Sequence, residues 1–78
     1  MEIKILSSSK TLYEGESEEI TLPGREGLFQ ILEGHAGIFA LLGKGEINIG
    51  QSRKIPISSG IAEALGNKVV ILAEEAEN

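Results

Sequence analysis

The chain contains one histidine, His35, with two carboxylates near it in sequence, Glu26 and Glu33. Imidazole and carboxylate groups together can bind a divalent metal ion or transfer a proton. A small metal-assisted hydrolase using these three residues is therefore one hypothesis. One histidine with two glutamates on turns matches no metal or catalytic signature, however, and a base needs a partner at hydrogen-bond distance. A His35 ring that hydrogen-bonds its own turn is the simpler structural interpretation.

Two glycine-rich stretches, residues 34–37 and 43–45, resemble phosphate-binding loops only in composition. Neither has the spacing of a P-loop, and neither leads into a helix N-terminus. Ser58-Ser59-Gly60 also lacks the pattern of a nucleophile elbow. The sequence therefore predicts no catalytic residue, no cofactor and no metal.

Length and charge limit the possible functions. With 78 residues and no cysteine, the chain is expected to form one small domain, residues 1–78, without disulfides. The net charge is −5 and the cations are scattered, whereas nucleic-acid binding needs clustered Lys and Arg. The start does not read as a signal peptide. The longest apolar stretch, 36–42, is far below the ~20 residues that span a bilayer, so no direct membrane insertion is expected.

Short segments with alternating or apolar residues, separated by turn signals, are typical of strands. The predicted strands are 2–5, 11–14, 19–22, 28–32, 38–42, 46–49, 53–58, 61–65 and 68–73. No segment has a helical period for two turns. Turns every eight to twelve residues favour a flattened two-sheet β-sandwich or barrel of about eight to ten short strands.

Glycine and proline set the predicted strand ends. Gly15 is expected to end the second strand, Pro23-Gly24 the third, and Glu33-Gly34 the fourth. Ser59-Gly60 is expected to separate two strands. Pro56 indicates an edge position because it lacks a ladder donor.

The last third of the chain gives three further predictions. Gly66-Asn67 is expected to form a two-residue hairpin turn. Residues 68–73 are apolar at both alternating sets, which predicts a strand buried on both sides. The acidic residues 74–78 are expected to fray.

The segment Ile38–Leu42 carries more apolar side chains than one core requires. Ile38, Ala40 and Leu42 form one alternating set, and Phe39 and Leu41 form the other. The second set either packs under a neighbouring loop or forms a docking surface. The same two alternatives apply to Leu28, because it faces the opposite side of its strand from Phe29 and Ile31.

An ordered set of motifs carries a family resemblance. Three short motifs occur in sequence: Leu22-Pro23-Gly24, then Glu26-Gly27 with Phe29, then Gly34-His35-Ala36. They resemble the ε subunit of F-type ATP synthases, whose pattern is Leu-Pro-Gly-x-Glu-Gly-x-Phe-Gly followed by Leu-Pro-Gly-His-Ala-Pro-Leu. Gln30, Glu33 and Gly37 depart from that pattern. Residues 58–60 and 71–74 resemble the end of the same domain, so the similarity covers nearly the whole chain.

The resemblance implies a fold and a function. Family members have a two-sheet β-sandwich, usually followed by a two-helix regulatory hairpin that this sequence does not contain. The resemblance implies a non-catalytic central-stalk subunit, present in one copy, that binds the γ subunit and the membrane c-ring and couples proton-driven rotation to ATP synthesis. In bacteria this would place it at the cytoplasmic face of the plasma membrane.

Contact residues follow from the same resemblance. The expected c-ring contacts are Glu26, Leu28, Glu33 and His35, with the two carboxylates pairing with basic ring-loop residues. The expected γ contacts are Phe39 and Leu41. The alternatives are a generic β-sandwich adaptor that binds a peptide or small ligand through the Phe39 side, and the metal-assisted hydrolase.

Overall fold

A computed structural model describes residues 1–34 and 37–76 of the chain. Every regular element among these residues is a strand, which confirms the all-β prediction, and no helix there is long or apolar enough to cross a membrane. The strands are β1 Glu2–Leu6, β2 Thr11–Glu16, β3 Glu19–Gly24, β4 Gly27–Leu32, β5 Ile38–Leu42, β6 Gly45–Ile49, β7 Arg53–Leu65 and β8 Lys68–Glu75.

The strand β7 joins the two layers of the sandwich. Its first part pairs with β6, and its second part pairs with β5 on one side and β8 on the other. The first layer therefore has the order β4-β3-β6-β7, and the second has the order β5-β7-β8-β1-β2. All of these pairs are antiparallel except β1 with β8, which is parallel.

The core lies between the layers and follows the two-residue period of each strand. In β8, for example, Val69, Ile71 and Ala73 are buried while the residues between them are exposed. The buried apolar set is Met1, Ile3, Ile5, Ile20, Leu22, Ile31, Leu42, Ile47, Ile49, Ile55, Ile57, Ala62, Ala64, Val69, Ile71 and Ala73. Because one face of each layer is buried, a one-residue slip would expose this entire set.

Three predicted breaks are wrong, because the strands continue through them. Gly15 lies within β2, opposite Ile3. β3 continues through Pro23-Gly24, and the turn lies at residues 25–26 instead. The Pro23 carbonyl faces away from β4 and accepts a hydrogen bond from the Gly43 amide at 2.8 Å. The nitrogen of a strand residue points to the same side as its carbonyl, so the N–H that proline lacks removes no bond to β4. Ser59-Gly60 lies within the 13-residue β7, where the pairing with β8 shifts register.

Two other local predictions are confirmed. Glu33-Gly34 forms a turn after β4. Gly66, with φ of 62°, begins a two-residue hairpin turn between Leu65 and Lys68, as a type II′ turn requires. The edge position predicted for Pro56 is wrong: β7 pairs with β6 at this residue, and on the other side the Pro56 carbonyl accepts from the Ala76 amide at 3.1 Å.

Two predictions for β8 are wrong. The strand is buried on one side only, because the second layer has no further layer over its outer face; Val70 and Leu72 are exposed. Glu74 and Glu75 do not fray but extend the ladder opposite Ser59 and Ile57. Residues 77 and 78 lie outside the described residues.

Gly60→Ala is expected to lower the free energy of unfolding by about 1–3 kcal/mol. A Cβ at residue 60 would lie 2.8 Å from the Leu72 carbonyl oxygen and 3.1 Å from the Ala73 Cβ, between two paired strands. Urea denaturation measures the change. Ser59→Ala, at an exposed neighbour, should shift stability by less than about 0.5 kcal/mol; equal effects of both variants would contradict the close-approach explanation.

Candidate docking surfaces

The residues predicted to contact the c-ring lie at both ends of β4. Glu26 is in the turn before the strand, and Leu28, on its outer face, is 75% exposed. Phe29 is half-buried and Ile31 fully buried, which confirms that they face the opposite side from Leu28. Glu33 follows the strand at its other end, and His35 lies outside the described residues.

Glu26 and Glu33 do not form a shared site. Six residues of strand separate them, about 20 Å at ~3.4 Å per residue. The Glu33 carboxylate instead accepts a hydrogen bond from the Met1 ammonium at 3.3 Å, which also donates to the Ser17 carbonyl at 2.9 Å. Among residues 1–34 and 37–76, no cluster of three metal-binding side chains occurs. The geometry therefore gives the hydrolase hypothesis no support.

The structure brings two of the predicted ring contacts together with both predicted γ contacts. A cavity of about 640 Å³ is lined by Glu26 and Leu28 from the β3–β4 hairpin and by Phe39 and Leu41 from β5. The Arg25 amide donates to the Leu41 carbonyl at 3.1 Å and so ties the hairpin to β5. The two predicted surfaces are therefore adjacent at this end of the sandwich.

The outer face of the second layer carries an apolar row. Leu6, Leu72, Ile61 and Leu41 are in register across β1, β8, β7 and β5. Leu41, Ile61 and Leu72 are 41–54% exposed, and Leu6 is half-buried. No described loop covers the row, so the interpretation in which Phe39 and Leu41 pack under a neighbouring loop is wrong, and the docking surface stays a prediction. We call these four residues the apolar row.

A second row lies next to the apolar row, toward the other end of the layer. Phe39, Glu63, Val70 and Lys4 are in register there, so two apolar side chains flank one carboxylate, with a lysine at the margin. Phe39 is 67% exposed. The outer face thus changes from apolar at one end to mixed at the other.

Sequence reasoning missed part of this surface. Ile61, Val70 and Leu72 were assigned to strands without a docking role, or to burial on both sides. The available signal was the one used for residues 38–42: both alternating sets of β8 are apolar, and a two-layer sandwich buries only one of them.

The described residues form an all-strand β-sandwich with dispersed ionisable groups and an exposed apolar outer face. The family is also defined. The chain belongs to the ATP synthase delta/epsilon-chain family, because the family model described as "ATP synthase, Delta/Epsilon chain, beta-sandwich domain" matches residues 1–78.

Individual relatives agree with this assignment and confirm the resemblance to the ε subunit. The chain is 35% identical over 77 residues to the ATP synthase epsilon chain of Chlorobaculum tepidum, covering 94% of this chain and 88% of the relative. It is 36% identical over 77 residues to that of Leptospira borgpetersenii, covering 95% of this chain and 61% of the relative.

A solved structure has the same fold. A chain in the central stalk/c-ring structure of Tetrahymena thermophila mitochondrial ATP synthase matches with a TM-score of 0.78 and 17% identity. The match covers 96% of this chain and 63% of that chain. At this identity the likeness shows the fold.

Proposed function

We propose that residues 1–78 form one ε-type domain that acts as a non-catalytic rotor subunit of an F-type ATP synthase. One copy packs on the γ subunit and rests on the c-ring, at the cytoplasmic face of the membrane, and transmits proton-driven rotation toward the catalytic head. The observation that carries this proposal is the apolar row, an exposed surface that a family member of this kind would bury against a partner.

The apolar row and Phe39 form the proposed γ surface. Isolated exposed apolar side chains are common, whereas a contiguous set in register across four strands marks an interaction site. An interface of standard size buries ~800 Å² per partner, about one sixth of the domain's 4899 Å². The outer face of one layer is large enough to supply such an area.

Glu26 and Leu28 form the proposed c-ring surface nearest to the γ surface. Leu28 offers an apolar contact, and Glu26 offers a carboxylate for a basic ring-loop residue. Glu33 and His35 remain predicted ring contacts. Because β4 separates Glu33 from Glu26 by its full length, contact with both ends requires two separate loops of the ring.

The fold suits transmission of torque. β7 runs through both layers, so a force applied to one layer passes along a continuous backbone to the other. The close-packed core between the layers resists deformation. Neither property needs a catalytic group, which agrees with a purely mechanical role.

Addition of γ is expected to raise the thermal midpoint of the chain. A ligand at about 100 times its Kd stabilises the folded state by ~2.7 kcal/mol, which corresponds to roughly 10 °C or more for a domain of this size. Differential scanning fluorimetry with a dye-free tyrosine signal, or circular dichroism of a β-specific band, would measure it. An inert protein at the same mass concentration is the control, and an unchanged midpoint at saturating γ would contradict the proposal.

A generic adaptor could use the same apolar row, so partner identity must be tested directly. The chain, expressed in its own organism with a small affinity tag, should co-purify from detergent-solubilised membranes with γ and c-ring subunits in constant ratio. An Ile61→Asp variant serves as the matched negative control. Recovery of the chain with other proteins, and without ATP synthase subunits, would favour the adaptor.

A further inference from the structure

The strand β4 is an edge strand with an unusual composition. It pairs with β3 on one side and with no described strand on the other. Edge strands of soluble proteins are commonly protected by charges, prolines or bulges. β4 reads Gly-Leu-Phe-Gln-Ile-Leu, with none of these within its bounds and regular pairing along its whole length.

The register identifies which backbone groups face the open edge. Gly24 and Gly27 flank a two-residue turn and so form a hydrogen-bonded pair, and such pairs alternate along an antiparallel ladder. The Glu33 amide, which donates to the Glu18 carbonyl at 2.9 Å, continues the same alternation. The N–H and C=O groups of Leu28, Gln30 and Leu32 therefore face away from β3.

The strand β5 also lines the cavity, and near Leu42 it is already bound to β3 through the Gly24–Leu42 pair. The Leu41 carbonyl accepts from the Arg25 amide, so Leu41 and, by alternation, Phe39 direct their backbone groups away from β7. The cavity of about 640 Å³ is lined by Leu28 and Phe29 on one side and by Phe39 and Leu41 on the other. An incoming strand would thus find the ladder groups of β4 next to a cavity whose lining combines these apolar side chains with Arg25 and Glu26.

The charged side chains around β4 favour one charge type in an incoming partner strand. Glu26 precedes β4, Glu33 follows it, and Glu19 lies opposite Leu32 with its carboxylate bound to the Gln30 amide at 3.2 Å. Arg25 is the one cation in the adjoining turn. The Glu33 carboxylate is already paired with the Met1 ammonium at 3.3 Å. The two remaining carboxylates still exceed the one guanidinium, which favours a basic partner, and the net charge of −5 adds to this at long range.

We propose that the free edge of β4 accepts an extended, basic segment of a partner polypeptide with alternating apolar side chains, which adds to the first layer by β-augmentation. The backbone groups of Leu28, Gln30 and Leu32 supply the ladder, and the cavity receives apolar side chains of the added strand. This inference does not depend on the γ or c-ring assignments and survives if either fails.

Nuclear magnetic resonance of the ¹⁵N-labelled chain tests the proposal. The probe is a blocked eight-residue peptide of alternating lysine and valine. Titration should shift the amides of β4 and slow hydrogen exchange at Leu28, Gln30 and Leu32. The same peptide with alternate N-methyl groups on its pairing edge should not bind. Shifts confined to other strands, or equal binding of the methylated peptide, would overturn the proposal.

A pair of variants tests the edge from the protein side. Gln30→Pro removes the central outward N–H and should weaken binding roughly tenfold or more, whereas Gln30→Ala keeps the backbone and should change it less than about threefold. If the amide signals of Gln30→Pro lose their dispersion, the variant is unfolded. The comparison of the plain and the N-methylated peptide on the unmodified chain then decides the test. Concentration-dependent β4 shifts without peptide, together with a dimer in sedimentation, would show that a second copy occupies the edge and would overturn the proposal.

Discussion

Ile71→Ala is expected to lower the free energy of unfolding by about 2–5 kcal/mol, whereas Leu72→Ala should lower it by less than about 1 kcal/mol. The two residues are adjacent in β8 and differ in the face they occupy. Ile71 is fully buried in the core between the layers, and Leu72 is 54% exposed in the apolar row. Truncation at Ile71 leaves a cavity among close-packed neighbours, while truncation at Leu72 removes atoms already in contact with water.

Urea denaturation of the wild type and both variants measures these changes. A chain of 78 residues is marginally stable, so Ile71→Ala is expected to leave a substantial unfolded fraction in water. The γ subunit should restore folding of Ile71→Ala at high concentration, and Leu72→Ala should reduce γ affinity despite its normal stability. Equal losses of stability in both variants would mean that the outer face of β8 is covered.

The alternation of side chains made most of the fold predictable. Eight strands follow closely the segments in which apolar residues recur at every second position, because each strand buries one face against the opposite layer. Residues 61–65 contain good helix formers, yet they form strand, since Gly60 and the Gly66 turn leave no room for two helical turns.

Strand ends were less predictable, because glycine and proline have more than one use. Gly60 lies inside β7, where two neighbouring strands approach too closely for a Cβ, and a local reading cannot distinguish this from a break. Pro23 is accommodated because it lies at a position whose backbone faces away from β4. Both outcomes depend on residues distant in sequence.

The exposed apolar face that we propose as a docking surface was predictable only in part. Phe39 and Leu41 were identified from an apolar surplus within one strand. Their continuation through Ile61 to Leu72 depends on the register of three strands, which no single segment contains. Leu28 and Phe39 line the same cavity although ten residues lie between them in sequence, and the Arg25–Leu41 hydrogen bond joins the two segments that carry them.

Ile61→Asp is expected to weaken association with γ roughly 100-fold while changing the stability of the isolated chain little. Ile61 lies at the centre of the apolar row, between Leu41 and Leu72, and is 41% exposed in the free chain. A carboxylate stays hydrated there until the partner binds, and then it must be buried without a counter-ion. Residues near the centre of an interface dominate its affinity, and ~2.7 kcal/mol corresponds to 100-fold.

Gln51→Asp is the matched control, because it adds the same charge at an exposed position in the β6–β7 turn, outside the apolar row. Isothermal titration with purified γ gives the affinities, and urea denaturation without γ gives the stabilities. Since the two variants have the same net charge, long-range repulsion affects both, and only local desolvation separates them. If γ binds both variants with equal affinity, the apolar row is not its docking surface, and the cavity beside Phe39 becomes the region to test.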